Sequence, residues 1–232
     1  SENAAYNYHK QMVSSGSSWS TSDGQQMLWD AERTPVTMIA YAPYMSEAAP
    51  DASLAVNALT NQTTEENVKS SDFLLMKATV DPEQDLTADG KLKISLNHAM
   101  SKLIIKITVN GTTDASMSKL GDMAINGAVV KATCDLSAAA PVVVPAADAV
   151  VATVAPYKGT ESCECILPPQ KIAEGFSVNF SYDGKLYIWT AKEAIELEKG
   201  VEHTLTLNVN TTVRLAAKMA RNWATGQLID RN

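Results

Sequence analysis

The chain has 232 residues, a formal net charge of −7 and a pI of about 5.0. Hydrophobic residues make up 45%, enough for real cores, while charged residues are only 19%, low against the roughly 25% usual in globular domains. The acidic balance, with no Lys/Arg run longer than two, excludes nucleic-acid binding through a basic stripe and disfavours anionic lipid surfaces; no run of about 18 apolar residues is available to span a bilayer.

The start is polar and loop-rich through Ser22, with Ala5–Met12 as an edge strand. The segment 35–43, PVTMIAYAP, predicts a strand bounded by prolines. Its two faces are both apolar, which argues for a central position. Residues 46–70 read as a long loop with one helical turn near Thr64–Lys69. Strands follow at Phe73–Val80, Lys91–Leu96 and Lys102–Val109. In KLKISL, Leu92, Ile94 and Leu96 share one face; in KLIIKITV, Leu103, Ile105, Ile107 and Val109 do. Alternation with period two marks half-buried strands. Asn110-Gly111 is the best candidate for a domain boundary.

The second half predicts strands at Gly121–Ile125 and Ala128–Cys134, separated by Asn126-Gly127. Short strands follow at Val142–Val144, Val150–Val154 and Glu161–Leu167. Phe176–Tyr182 and Lys185–Thr190 flank Asp183-Gly184, the cleanest hairpin signal in the chain. His203–Val209 turns Leu205, Leu207 and Val209 inward. The segment 212–223 has apolar residues at helical spacing (Leu215, Met219, Trp223) and reads equally as a last strand with a bulge. Each half carries about seven short strands, which fits an all-β chain of two sandwiches in tandem, residues 1–110 and 111–232.

Catalytic, cofactor-binding and metal-ligating constellations are not found. His9, His98 and His203 lie near no nucleophile motif, and His98, at a strand junction, reads as a structural hydrogen-bonding residue. Cys163 and Cys165, two apart on a strand, face one side. They read as buried thiols, with a bridge to Cys134 or a metal site as alternatives. Asp81, Glu83, Asp85 and Asp89 crowd one loop without EF-hand spacing; a solvated loop or a weak surface calcium site would both produce them. Trp19, Trp29, Trp189 and Trp223 read as core or rim packing, or as a sugar platform if exposed and coplanar. Asn61, Asn110, Asn179 and Asn210 match the short glycosylation pattern.

The order of several short motifs resembles the Bacteroidales-type fimbrillin family of surface-pilus subunits. Trp29 precedes VTMIAYAP with Ala40, Tyr41 and Pro43. Ser71-Asp72-Phe73-Leu74-Leu75 then leads to Lys77-Ala78, and His98-Ala99-Met100-Ser101-Lys102-Leu103 follows. Tyr187–Thr190, Gly200–Thr204 and Trp223-Ala-Thr-Gly complete the series near the end. The resemblance implies two transthyretin-like Greek-key β-sandwich domains, export as a lipoprotein to the outer membrane surface, and partners that are other pilus subunits. It implies that an N-terminal strand is removed by an arginine-specific protease and that a neighbour's strand fills the groove. The lipidated Cys and first strand that the family carries are not found before Trp19, and the opening SENAAYNYHK is expected to belong to a trimmed or processed form. Arg33 is an internal alternative for cleavage that would sacrifice the Trp29 region; Val213–Asn232 is the expected donor or docking strand.

The leading expectation is therefore a structural pilus subunit that contributes to adhesion at the cell surface, not an enzyme. The alternative is a secreted or surface sandwich that binds glycans or host protein. A hydrolase would need converging carboxylates, and Glu193, Glu196 and Glu198 are only adjacent in sequence.

Overall fold

Asp183 and Gly184 take φ of 53° and 78°, the paired left-handed conformation that a two-residue hairpin turn requires. The strands on either side, Ser177–Tyr182 and Lys185–Ala191, pair antiparallel from Ser177↔Thr190 to Tyr182↔Lys185. They form the middle of a sheet in the computed structural model, which describes residues 9–16, 18–25, 27–30, 32–46, 53–111, 113–210, 216–219 and 226–230. The described chain is almost entirely β, with one α-helix, Glu65–Ser71. Thr64 caps that helix by accepting the Asn67 amide at 3.2 Å, near the predicted turn.

The chain forms two compact units. The first comprises Ser1–Leu54, Leu74–Asn97 and Asp135–Pro141; the second comprises Ala55–Phe73, His98–Cys134 and Val142–Asn232. The units therefore do not divide at residue 110. Ser101–Val109 lies in the second unit, antiparallel to Cys163–Leu167 on one side and parallel to Glu202–Val209 on the other. Local periodicity identifies the strand but carries no information about partners so distant in sequence.

In the first unit, Met12–Ser14 and Trp19–Thr21 form a small hairpin, and Val36–Ala42 pairs antiparallel with Leu74–Val80. The 36–42 strand is at the edge of its sheet among the described residues, not central. Its flanking prolines suit an edge better than an interior, and apolar residues on both faces do not by themselves bury it. Lys91–Leu96 forms no strand. Its ladder contact is a single bridge, Leu86↔Leu92, and Ile94 is 42% exposed. The alternation there is real, but no second strand among the described residues supplies the hydrogen bonds. The Lys77 ammonium donates to three successive carbonyls, Leu136, Ser137 and Ala138, at 2.7, 3.2 and 2.8 Å, and so fixes the 135–141 loop.

The second unit is a sandwich. One sheet runs Val151–Val154, Leu120–Val129, Ser177–Tyr182, Lys185–Ala191, Gly226–Asp230. The other runs Tyr157–Lys158, Cys163–Leu167, Ser101–Val109, Glu202–Val209, Ala216–Met219, with Thr113–Asp114 beside Ser101–Val109. Leu103, Ile105, Ile107, Leu205 and Leu207 from one sheet meet Ile125, Val178, Phe180 and Trp189 from the other in a single core. The period-two pattern read from sequence thus describes the inward faces.

Asn126-Gly127 does not break its strand as expected. Leu120–Val129 is continuous, and the register against Val151–Val154 shifts between Ala152 and Thr153, leaving Gly127 as the extra residue of a bulge. Gly127 has φ of 91°, and a Cβ there would stand 2.5 Å from the Gly175 carbonyl oxygen. Two glutamines close strand edges with their side chains. Gln62, fully buried, accepts the Ile166 amide at 2.8 Å and donates to the Ile166 carbonyl at 2.8 Å. Gln170 does the same for Val129 at 2.9 and 2.9 Å. A side-chain amide presents the same donor and acceptor as a peptide group, so each satisfies a backbone pair that no strand among the described residues reaches.

Candidate functional site

The C-terminal segment expected to act as a donor or docking strand lies partly outside the described residues. Its described parts are both strands: Ala216–Met219 pairs with Leu205–Asn208, and Gly226–Asp230 pairs with Tyr187–Ala191. Among the described residues each is the terminal strand of its sheet, one in each layer of the second unit. The helical alternative for 212–223 is thereby replaced by strand over Ala216–Met219; Trp223 is outside the described residues. The expected strand Ala5–Met12 is outside them as far as residue 8, and the strand begins at Met12.

A second feature of this unit is a cleft of about 480 Å³ on the outer face of the six-stranded sheet, beside the helix. Two motifs that carry the family resemblance converge here. His98 Nδ1 is 2.6 Å from Asp72 Oδ2, and the Ala99 amide donates to the Phe73 carbonyl at 2.8 Å. Met100 and Ser101 are buried. Lys102 reaches back into the cleft, 2.8 Å from Glu164 and 3.8 Å from Glu202. Burial opposes the charge of Lys102, but Glu164, Glu202 and Asp72 outweigh it and hold its ammonium above the usual lysine range. Tyr157 donates to Glu65 at 3.1 Å, and that bond raises its phenol further from ionisation. His98 therefore has the hydrogen-bonding role expected of it. The convergence with Lys102 and Glu164 was not legible, because the strand pairing that makes it is not.

The other sequence candidates fall elsewhere. Cys134, Cys163 and Cys165 are buried and form no disulfide. Burial pushes the Cys163 thiol up to about 11 and Cys165 higher still. Thiol reagents that require the thiolate should leave both unlabelled in the native protein at pH 8 and label them on denaturation; stoichiometric native labelling would contradict this burial. In the 81–89 loop, Asp81 accepts the Glu83 amide and the Gln84 side chain, Asp85 accepts the Asp81 amide, and Asp89 pairs with Lys91 at 2.5 Å. These carboxylates organise their own loop, and among the described residues no three potential ligands converge on a metal position. Trp189 is fully buried, so it takes no part in a sugar platform; Trp29 donates to the Thr34 carbonyl at 2.7 Å, and Trp19 is 67% exposed. Arg33 donates to the Pro82 carbonyl at 2.9 Å.

A family profile described as fimbrillin-like matches residues 1–222. The chain belongs to the fimbrillin-like family. Fimbrillin-like chains are structural pilus subunits of the cell surface and not enzymes. No curated protein matches this fimbrillin-like chain. Among solved structures it is similar to a candidate cell adhesion protein from Bacteroides uniformis, with TM-score 0.69 and 17% identity over 92% of this chain and 85% of that one. A second candidate cell adhesion protein, from Bacteroides ovatus, gives 0.60 and 16% over 95% and 75%. A fimbrial protein from Bacteroides ovatus gives 0.53 and 16% over 87% and 41%. At these identities the likeness establishes the fold. Among the described residues no helix is long and apolar enough to cross a membrane.

Proposed function

We propose that this fimbrillin-like chain is a pilus subunit exported as a lipoprotein precursor, assembled by β-strand donation between subunits and contributing to adhesion. The observation that carries the reading is the position of Ala216–Met219 and Gly226–Asp230, each the last strand of its sheet among the described residues. A terminal strand can leave and be replaced without breaking any other pair, and main-chain hydrogen bonds then supply the affinity. Arginine-specific removal of an upstream strand, as the family resemblance implies, would open the acceptor groove.

The test is size-exclusion chromatography and negative-stain imaging of the precursor before and after arginine-specific proteolysis, with a second form ending at Asn210. Ladders or fibres are expected only after cleavage, and only with the C-terminal segment present. A monomer in every form, or fibres from the form ending at Asn210, would overturn strand donation by this segment.

A further inference from the structure

We propose that His203 is an acid-sensitive latch: protonation of its ring releases the turn at residues 198–201 from the strand that follows it. The strand Glu202–Val209 alternates, and His203 takes the first inward position of the row that continues with Leu205, Leu207 and Val209; it is 2% exposed. Leu103 is its partner on the parallel strand, with Cys165 beyond Leu103 in the same row. The His203 Nε2 accepts the Glu198 amide at 3.0 Å. A backbone N–H can only donate, so this nitrogen carries no proton, and the neutral ring is the tautomer with its hydrogen on Nδ1.

That bond is one of three that hold the turn. Gly200 donates to the Met100 carbonyl at 2.8 Å, and the Val201 carbonyl accepts the Lys102 amide at 3.0 Å. Gly200, with φ of 67°, comes so near that a Cβ there would stand 3.0 Å from the His98 carbonyl oxygen. The ring thus fastens residues 198–201 against His98–Lys102, and Gly200, Val201 and Glu202 form one wall of the cleft. An imidazolium has N–H donors on both nitrogens. Its Nε2–H would oppose the Glu198 N–H, and its charge would lie in the buried row of Leu103 and Leu205, so the bond is lost and a cation is desolvated. The charged side chains on the surrounding elements compensate little. Glu196, Glu198, Lys199 and Glu202 are exposed, as are Lys106 on the parallel strand and Lys171 on the strand paired with Ile195–Leu197. Lys102 is half-buried and pairs with Glu164. Burial keeps the Cys165 thiol protonated and uncharged. Solvent screens Glu198 and Glu202, the acids nearest along the chain.

The latch needs neither cleavage nor assembly, so it is tested on the purified chain. Nitrogen-15 NMR of the imidazole reads the tautomer: at pH 7.5 His203 should be protonated on Nδ1 alone. An unfolded histidine takes up a proton below about pH 6.5, and the folded ring resists it, so opening of the turn binds a proton and becomes easier as pH falls. Between pH 7.5 and 5.5 the hydrogen-exchange protection of the Glu198 amide, corrected for the intrinsic pH dependence of exchange, should drop by about tenfold. His203→Gln keeps an acceptor without a titrating group and should lose this response. His98→Gln, which removes the exposed titrating ring beside the same turn, should retain it. If His203→Gln does not fold, the tautomer and the exchange of the native chain decide. A proton on Nε2 at pH 7.5 would overturn the proposal. So would Glu198 protection that does not change with pH, a response that persists in His203→Gln, or one that disappears in His98→Gln.

Discussion

Trp189→Ala should destabilise the second unit by about 3–5 kcal/mol, the range for removing a large buried aromatic side chain. Trp189 is 0% exposed and packs edge-on against Phe176, with ring centroids 6.1 Å apart and planes at 79°. Phe180 and Ile125, in the same core, belong to a sheet whose backbone cannot collapse into the vacated space. Phenylalanine at the same position is a sharper comparison. The indole Nε1 is buried with no hydrogen-bond partner among the described residues, so Trp189→Phe loses volume but also removes that donor. It should cost less than half as much as alanine. Urea unfolding followed by circular dichroism measures both. A cost under about 1 kcal/mol for alanine would show that this position is not a core position.

Gln62→Ala should cost about 2–4 kcal/mol. Among the described residues no strand offers an alternative partner for the Ile166 amide and carbonyl, and each buried group left unpaired costs about 1–3 kcal/mol. The size of the chain puts the expected fall in melting temperature at roughly 10 °C. Gln62→Glu separates the two bonds: a carboxylate still accepts the Ile166 amide but cannot donate to its carbonyl. It should be destabilised at neutral pH, and recover as pH falls and the acid becomes protonated and able to donate. A melting temperature for Gln62→Ala within about 2 °C of the native chain would mean that water replaces the glutamine.

How far the sequence announces this protein differs by level. The inward faces were legible wherever alternation was backed by a partner strand: Leu103, Ile105 and Ile107 point into the core as their spacing says. Asp183-Gly184 was legible because turn chemistry is local. Lys91–Leu96 shows the limit of that logic, since the same alternation without a second strand leaves an extended, largely exposed segment. Asn126-Gly127 shows another. The dipeptide signals a left-handed backbone, and that is found, but whether it makes a turn or a bulge is decided by Gly175 across the fold. The cleft was half legible. Asp72, His98 and Lys102 stood in quoted motifs, while Glu164 and Tyr157 joined them only through pairing that no local pattern encodes.

The parallel pairing of Ser101–Val109 with Glu202–Val209 also sets a clock. Thr108 and Asn208, which share a hydrogen bond, are 100 residues apart. A chain that emerges N-terminus first must hold Leu103, Ile105 and Ile107 without this neighbour until Glu202–Val209 has appeared. Contacts of this range close slowly, and the sheet cannot be completed in stages from one end. That sheet is therefore completed only when residues 100 positions downstream of Ser101–Val109 are available, while the local hairpin Ser177–Ala191 has no such wait.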